Sequence, residues 1–531
     1  MRLSLLLLPL ALSACATARG PASVADRAAS WWSQVETLAA DDMEGRAAGS
    51  AGHRRAADLV AGRFAALGLE PAGDAGSYFQ NVRFEERRIL AEGTEAALVA
   101  GGVPAPLRLP DDMVVRVAAA PPPESLDAPL VFIGYGMHLP EAGHDDFAGV
   151  DFTGKIAVVI GGGPASLSGA LKSHARAERG RLLARRGAIG LITLGTPAQA
   201  EQPWANVARA SAQPGMYPAD PAMRTISTAL LTASVNPAAA ERLFAGSGHS
   251  FAEIAALADA SRPVPGFALT PRLRARVATE ARQVTSRNVV ARLPGRDRRL
   301  RAEHVVLTAH LDGLGVGAPV AGDTIYNGAL DNAAGVAALI DVAAQYRRQR
   351  VRPRRSILFV ALTGEEKGLL GSRWFARAPT VPRASIVADL NYDMALPLFP
   401  LTSVTILGLE ESSIGAEARA VSEAMGLPLA PDPFPDRNSF VRSDQYSFIE
   451  EGIPSAAFKF GFAAGTPEAA TERAWRLDRY HSPSDDTSQT VYREDEIRLH
   501  DFIAALALRI ANADSRPRWN EDSFFRRFAR D

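Results

Sequence analysis

The chain has 531 residues, 47% of them hydrophobic and 22% charged, and a formal net charge of -1. That length exceeds one simple domain and supplies material for a large core, so two or three domains are expected. The charge balance lacks the basic excess that marks nucleic-acid binders, and no nucleic-acid partner is expected.

The N-terminal stretch MRLSLLLLPLALSAC sets one Arg before an apolar run from Leu3 to Ala14. This run is too short to span a bilayer and has the length of a signal-peptide core. It ends in Leu12-Ser13-Ala14-Cys15, and Cys15 is the single cysteine of the sequence. The pattern resembles a bacterial lipoprotein signal. That resemblance implies a lipid anchor on Cys15 and a place in the cell envelope, at the outer membrane or the periplasmic face. No other Cys exists to form a disulfide, so an exported chain of this kind relies on its core. Residues 1–15 are read as signal peptide and 16–30 as a flexible tether.

From residue 31, WWSQVETLAADDMEGRAAGSAGHRRAADLVAGRFAALGLEP predicts two helices flanking a Gly-rich loop. In the second helix Ala56, Leu59, Val60, Phe64 and Leu67 recur at helical spacing, and Gly68 stops it. Composition shifts near residue 120, at AAAPPPESLDAP. Strand-like PLVFIGYG and GKIAVVIGGGP follow, then a polar, Arg-rich helix over Leu171–Arg186 and the strand GAIGLITLG. This region, assigned to 120–280, resembles a protease-associated domain, a small β-rich insert. From 285 the apolar runs HVVLTA, SILFVALT and IVADLNYD alternate with helical stretches such as DNAAGVAALIDVAAQYRR. The alternation predicts an α/β fold, a mixed and mostly parallel sheet flanked by helices. Residues 31–119 and 281–513 are assigned to that domain. Residues 514–531 form a short charged tail whose Phe side chains can dock on the body.

In open α/β sheets, ligands bind beyond the carboxyl ends of the strands. HVVLTA runs into His310-Leu311-Asp312, SILFVALTG into Glu365-Glu366, and IVADLNY into Asp393. Asp331 sits just before a predicted helix, where an N-cap is its ordinary role. His481 lies in the turn-rich RYHSPSDD. Taken singly, each residue has a bland explanation as a hydrogen-bonded His or a solvated acid. Together they form a nitrogen and oxygen donor set suited to zinc and related divalent ions. One ion needs three protein ligands and an open position, whereas five ligands and a spare carboxylate suit two ions sharing a bridge. If the chain stays extended past His310, Asp312 points to the same side and can orient the imidazole.

The segments AHLDGLG, GALDNAAG, TGEEKGLLGS, NYDM and YHSPSD stand in the order found in the co-catalytic zinc aminopeptidases of peptidase family twenty-eight. LAADDMEGRAAG and FVRSDQYSF are similar to that family too, so the resemblance covers nearly all of the mature chain. It implies two Zn2+ ions per chain and peptide substrates with a free N-terminus. It implies that Asp331 bridges both ions, that His310 and Asp393 complete one site, and that Glu366 and His481 complete the other. Glu365 is implied as the general base that takes the proton of the attacking water, and Asp312 as the partner of His310. Tyr480 is implied as a contact for the tetrahedral intermediate, with a packing role equally open. Many members read H-x-D-H at the first motif, where this chain has Gly313; the ligand His and its Asp remain. On the same fold a carboxypeptidase and a single-zinc glutaminyl cyclase stay open. A receptor-like protein without catalysis is disfavoured, because every expected ligand position is filled. Residue preference and oligomeric state are not legible.

Overall fold

Apolar runs without alternation form the middle of the larger sheet. The strands His304–His310 and Ser356–Leu362 are buried at every position. Such runs belong to strands covered on both faces. Their side chains still alternate in direction. Val305, Leu307, Ala309, Ile357, Phe359 and Ala361 enter the main core on one face. Val306, Leu358, Val360 and Leu362 pack with Phe375 and Phe448 on the other. The structure is a computed structural model and describes residues 22–117, 119–199, 202–437 and 439–529. The signal-peptide segment and Cys15 lie outside these residues.

Among the described residues the larger sheet has ten strands. Its parallel part runs from Ser356–Leu362 through His304–His310 and Ile386–Asn391 to Ser455–Phe460. Antiparallel pairs flank it. Thr279–Leu293 and Phe79–Ile89 lie on one side and Val404–Leu407 on the other. The helix Ala334–Arg348 covers one face and is buried on nearly all sides. The helices Val24–Leu38 and Arg493–Asn512 pack over it. Between them lies a charged knot. Asp341 accepts from Arg27 at 2.7 Å and pairs with His500 at 3.0 Å, and His500 meets Glu496 at 3.3 Å. The tether reading for 16–30 is corrected here, because Val24–Ser30 are already helical. Ser23 and Asp26 form a reciprocal capping box, and Arg27 and Ala28 are buried, which fixes the helix start at that point.

Among the described residues a second sheet of eight strands lies between Glu95 and Arg276. It begins well before residue 120. Glu95–Ala100 pairs with Gly266–Arg276, Val103–Leu107 pairs with Glu95–Ala100, and Met113–Arg116 pairs with Leu231–Val235. The Pro-rich stretch after residue 120 is a loop within this unit, since Pro lacks the N–H a ladder needs. The helix Gly169–Arg185 lies close to the residue span predicted for it. One strand of this region leaves its own sheet: Gly215–Pro218 pairs antiparallel with Phe79–Ile89 at the edge of the larger one. The tail docks through Trp519 and Phe525, which are buried with Leu369, Val441, Tyr446 and Ile449. Among the described residues no helix is long and apolar enough to cross a membrane.

Candidate metal centre

Strand register brings the acids and imidazoles to one edge. His310 is the last residue of its strand and lies opposite Leu362, three residues before Glu365. Thr308 pairs with Asn391, two residues before Asp393. Asp331 comes from the turn ahead of Ala334–Arg348, where the Asp331–Asn332 peptide is cis. The N-cap role suggested for Asp331 goes to its neighbour: Asn332 Oδ1 accepts the Gly335 amide at 3.0 Å. The Asp331 carboxylate is thereby free to face the imidazoles. Its Oδ1 lies 3.2 Å from His310 Nε2, and its Oδ2 lies 3.5 Å from His481 Nε2. His310 Nε2 is also 3.3 Å from Asp393 Oδ1, and His481 Nε2 is 3.2 Å from Glu366 Oε2.

Two donor sets result, His310–Asp331–Asp393 and Asp331–Glu366–His481, each with its ligand atoms within 4.8 Å of one another. They share Asp331, one oxygen toward each. Glu365 belongs to neither set and lines the cleft in front of them with Asp331, Asp393, Tyr480 and His481. The Tyr480 ring stacks on His481 at 3.8 Å between centroids, so this side chain both packs and borders the cleft.

Asp312 meets His310 through its main chain and not through its carboxylate. The strand ends at His310. His310 Nδ1 meets the Asp312 main-chain oxygen at 3.1 Å. The Asp312 carboxylate instead accepts the amides of Glu365 at 3.1 Å and Glu366 at 3.3 Å. It therefore holds the two-glutamate loop rather than the imidazole. Gly313 also finds its reason here. A Cβ at this position would stand 2.8 Å from the Gly45 carbonyl oxygen, so a His has no room.

Sequence reasoning missed two buried supports. Arg46, in EGRAAG, is wholly buried and donates to the carbonyls of Leu311, Leu38, Asn327 and Gly328 at 2.6–2.9 Å. It ties together the loops that present Asp312 and Asp331. Burial brings its pKa down to about 10 against the pull of Asp485, Asp312, Asp331 and Glu366. Asp485, in YHSPSDD, accepts the amides of Leu330 and Asp331, both at 3.0 Å. Both residues sit inside motifs quoted above, and that placement was the available signal.

The electrostatics ask for positive charge. Burial disfavours the charged His310 imidazole, but its bonds to Asp331 and Asp393 outweigh this and lift its pKa well above the ordinary value. Burial likewise opposes charge on His481, and Tyr480, Glu366 and Asp331 raise its pKa well above normal. Asp331 moves the other way: burial pushes it up, and the two imidazoles pull it far below the usual carboxylate range. Burial pushes Asp312 up to about 6. Burial also lifts Glu365 well above a normal carboxyl, against His310 and with help from Asp393, Glu366 and Asp444. A buried group of carboxylates in which the imidazoles gather protons fits divalent cations, whose charge stabilises the carboxylates and leaves the imidazoles neutral.

A parallel-centred α/β sheet whose strand ends gather two overlapping His and carboxylate sets offers a donor set for divalent metal. Residues 288–506 match the model for peptidase family M28. It is 29% identical over 211 residues to leupeptin-inactivating enzyme 1 from Streptomyces exfoliatus, across 38% of this chain and 43% of that one. The match thus spans less than half the length of that relative. An aminopeptidase from Aneurinibacillus sp. strain AM-1 shares the fold with a TM-score of 0.53 and 18% identity, over 92% of this chain and 95% of that chain. A zinc aminopeptidase from Bacillus subtilis aligns at a TM-score of 0.49 and 20% identity, over 92% and 96%.

Proposed function

We propose that the protein is a metal-dependent exopeptidase that removes N-terminal residues from peptides. The observation that carries this reading is the shared carboxylate: Asp331 offers one oxygen to each donor set, with Glu365 unassigned beside them. His310, Asp331 and Asp393 would hold one zinc ion, and Asp331, Glu366 and His481 a second. When bound, such ions polarise a carbonyl and bring the pKa of water toward neutrality. Glu365 takes the proton of the attacking water and passes it to the leaving amine. Glu365 lies in neither donor set and lines the cleft, which leaves its carboxylate available to carry a proton between two partners. Asp312 sets the position of Glu365 through the main chain. Tyr480, which lines the cleft, would donate to the oxyanion.

The cleft continues into a pocket lined by Met394, Leu407, Phe434, Phe460 and Phe462, a place for an apolar first side chain. A carboxypeptidase reading draws on the cations around the cleft: Arg437, Arg442, Lys459 and Arg476. Most of that charge is committed. Arg437 and Arg476 both pair with Glu472, and the Lys459 ammonium donates to the carbonyls of Asp393 and Met394. The aminopeptidase reading is therefore preferred. Leucine and phenylalanine anilides are expected to be cleaved, and N-acetylation of a peptide is expected to abolish cleavage. Equal rates on blocked and free peptides, or release from the C-terminus first, would overturn the reading.

Anchoring in the cell envelope through a lipidated Cys15 is proposed with it, supported by Leu12-Ser13-Ala14-Cys15.

A further inference from the structure

A cavity of about 600 Å³ separates the inserted sheet region from the larger domain. It is large enough for a short peptide. Its walls come from the helix Gly169–Arg185, from the segment around Gly215–Pro218, and from the loop and helix over 367–377. Its near wall starts at Lys367, the residue after Glu366, and consecutive Cα atoms lie about 3.8 Å apart. Lys367 on its wall is two residues after Glu365 in the chain, and no proposed metal ligand lines the cavity.

Its charge is not balanced. Three glutamates line it, and each is already bound to an arginine: Glu178 by Arg181, Glu450 by Arg373 at 3.8 Å, and Glu451 by Arg377 at 3.4 Å. Glu451 also holds Arg383 at 2.8 Å. Three further cations line the same space. Lys367 and Arg185 have no ion-pair partner among the described residues. Arg224 pairs at 3.6 Å with Glu85, which also holds Arg87 at 2.6 Å, so one carboxylate serves two guanidinium groups. The like charges also press on each other, since burial and then Arg185 lower the pKa of Arg181. Met216, Ile226, Leu370 and Trp374 supply apolar wall between the charges.

We propose that this cavity binds the part of the substrate that follows the scissile bond, and that it selects peptides bearing carboxylates there. The proposal rests on the exopeptidase reading and adds a substrate class to it. An acidic downstream segment meets the surplus of Arg185, Arg224 and Lys367, and its aliphatic stems lie on the apolar wall.

Full-length protein tests this with peptides that share an N-terminal Leu and continue with Glu or with Lys. The Glu series is expected to show a KM about fivefold lower at low salt, converging as ionic strength rises. Arg185→Glu, at the exposed end of its helix, is expected to erase or invert that ratio and to leave leucine anilide turnover unchanged. Equal KM for both series, or an acidic preference that Arg185→Glu leaves intact, overturns the proposal. So does acceleration of anilide cleavage by an N-acetylated tri-glutamate peptide or by inorganic phosphate, which would mark a separate effector site. Direct binding of a fluorescent N-acetylated tri-glutamate peptide, weakened by Arg185→Glu, reads the cavity without turnover. If that binding is seen and no anilide is cleaved, the exopeptidase reading fails and the cavity stands.

Discussion

Glu365 and Glu366 are chain neighbours with different tasks, and the difference is set by their surroundings. Glu366 turns toward His481, while Glu365 faces the cleft with no imidazole of its own. Glu365→Gln is expected to lower kcat by about 10²–10⁴ with both metals retained, checked by kinetics and metal analysis on one preparation. Loss of an ion in that variant would mean that the two glutamates have exchanged roles. Asp331→Ala is expected to deplete both sites, because one carboxylate serves both donor sets. One ion retained at full occupancy would indicate a single-metal enzyme of the cyclase kind. His310, Glu366 and Asp393 were legible because each closely follows an apolar run, whereas Asp331 and His481 follow none and came only with the motif resemblance. The direction of the Asp312 carboxylate was not legible. It is set by the main-chain amides of Glu365 and Glu366, which have no signature in sequence. Arg46 was hidden for the same reason: its acceptors are main-chain carbonyls at Leu38, Leu311, Asn327 and Gly328.

The helices behind the sheet carry a pH dependence of their own. His500 is buried between Asp341 and Glu496, with Arg27 and Arg348 also facing Asp341 and Asp501 facing Arg27. Burial opposes its charge, yet the two carboxylates raise its pKa from 6.5 to about 9. A pKa raised on folding adds stability that is fully present below pH 6.5 and fades as pH rises through about 9. His500→Gln is therefore expected to cost about 3 kcal/mol below pH 6.5, with the gap to wild type closing toward pH 9.5. Urea unfolding across that range checks it, and a gap that does not change with pH would mean an uncharged imidazole in the folded chain. The elements around this knot were legible to differing degrees. The parallel strands announced themselves as continuous apolar runs. The early start of Val24–Leu38 rested on the Ser23 and Asp26 caps, which lie in a stretch that reads as loose linker by composition.

For the whole molecule, the envelope reading hangs on one side chain. Cys15→Ser is expected to release the protein from the membrane fraction or to stall its maturation, with the specific activity of the recovered protein unchanged. Fractionation of cells tests it, and a wild-type protein found wholly in the soluble fraction would remove the anchor. The Val103–Leu107 strand of the second sheet was illegible because it contains two prolines and is mostly exposed, so it lacks the look of a strand.

The strand Gly215–Pro218 makes that unit harder to transplant than its position in the chain suggests. An insertion that merely interrupts its host could be cut out and the ends rejoined. This one sends a strand back to cover the rim of the host, along Phe84–Arg87. Removing the insert at its two entry points would strip Phe79–Ile89 of a neighbour and open a row of main-chain donors and acceptors to other chains. A shortened version of the protein must keep that strand or replace it with charge, or it will gain a sticky rim where the natural molecule has a finished one.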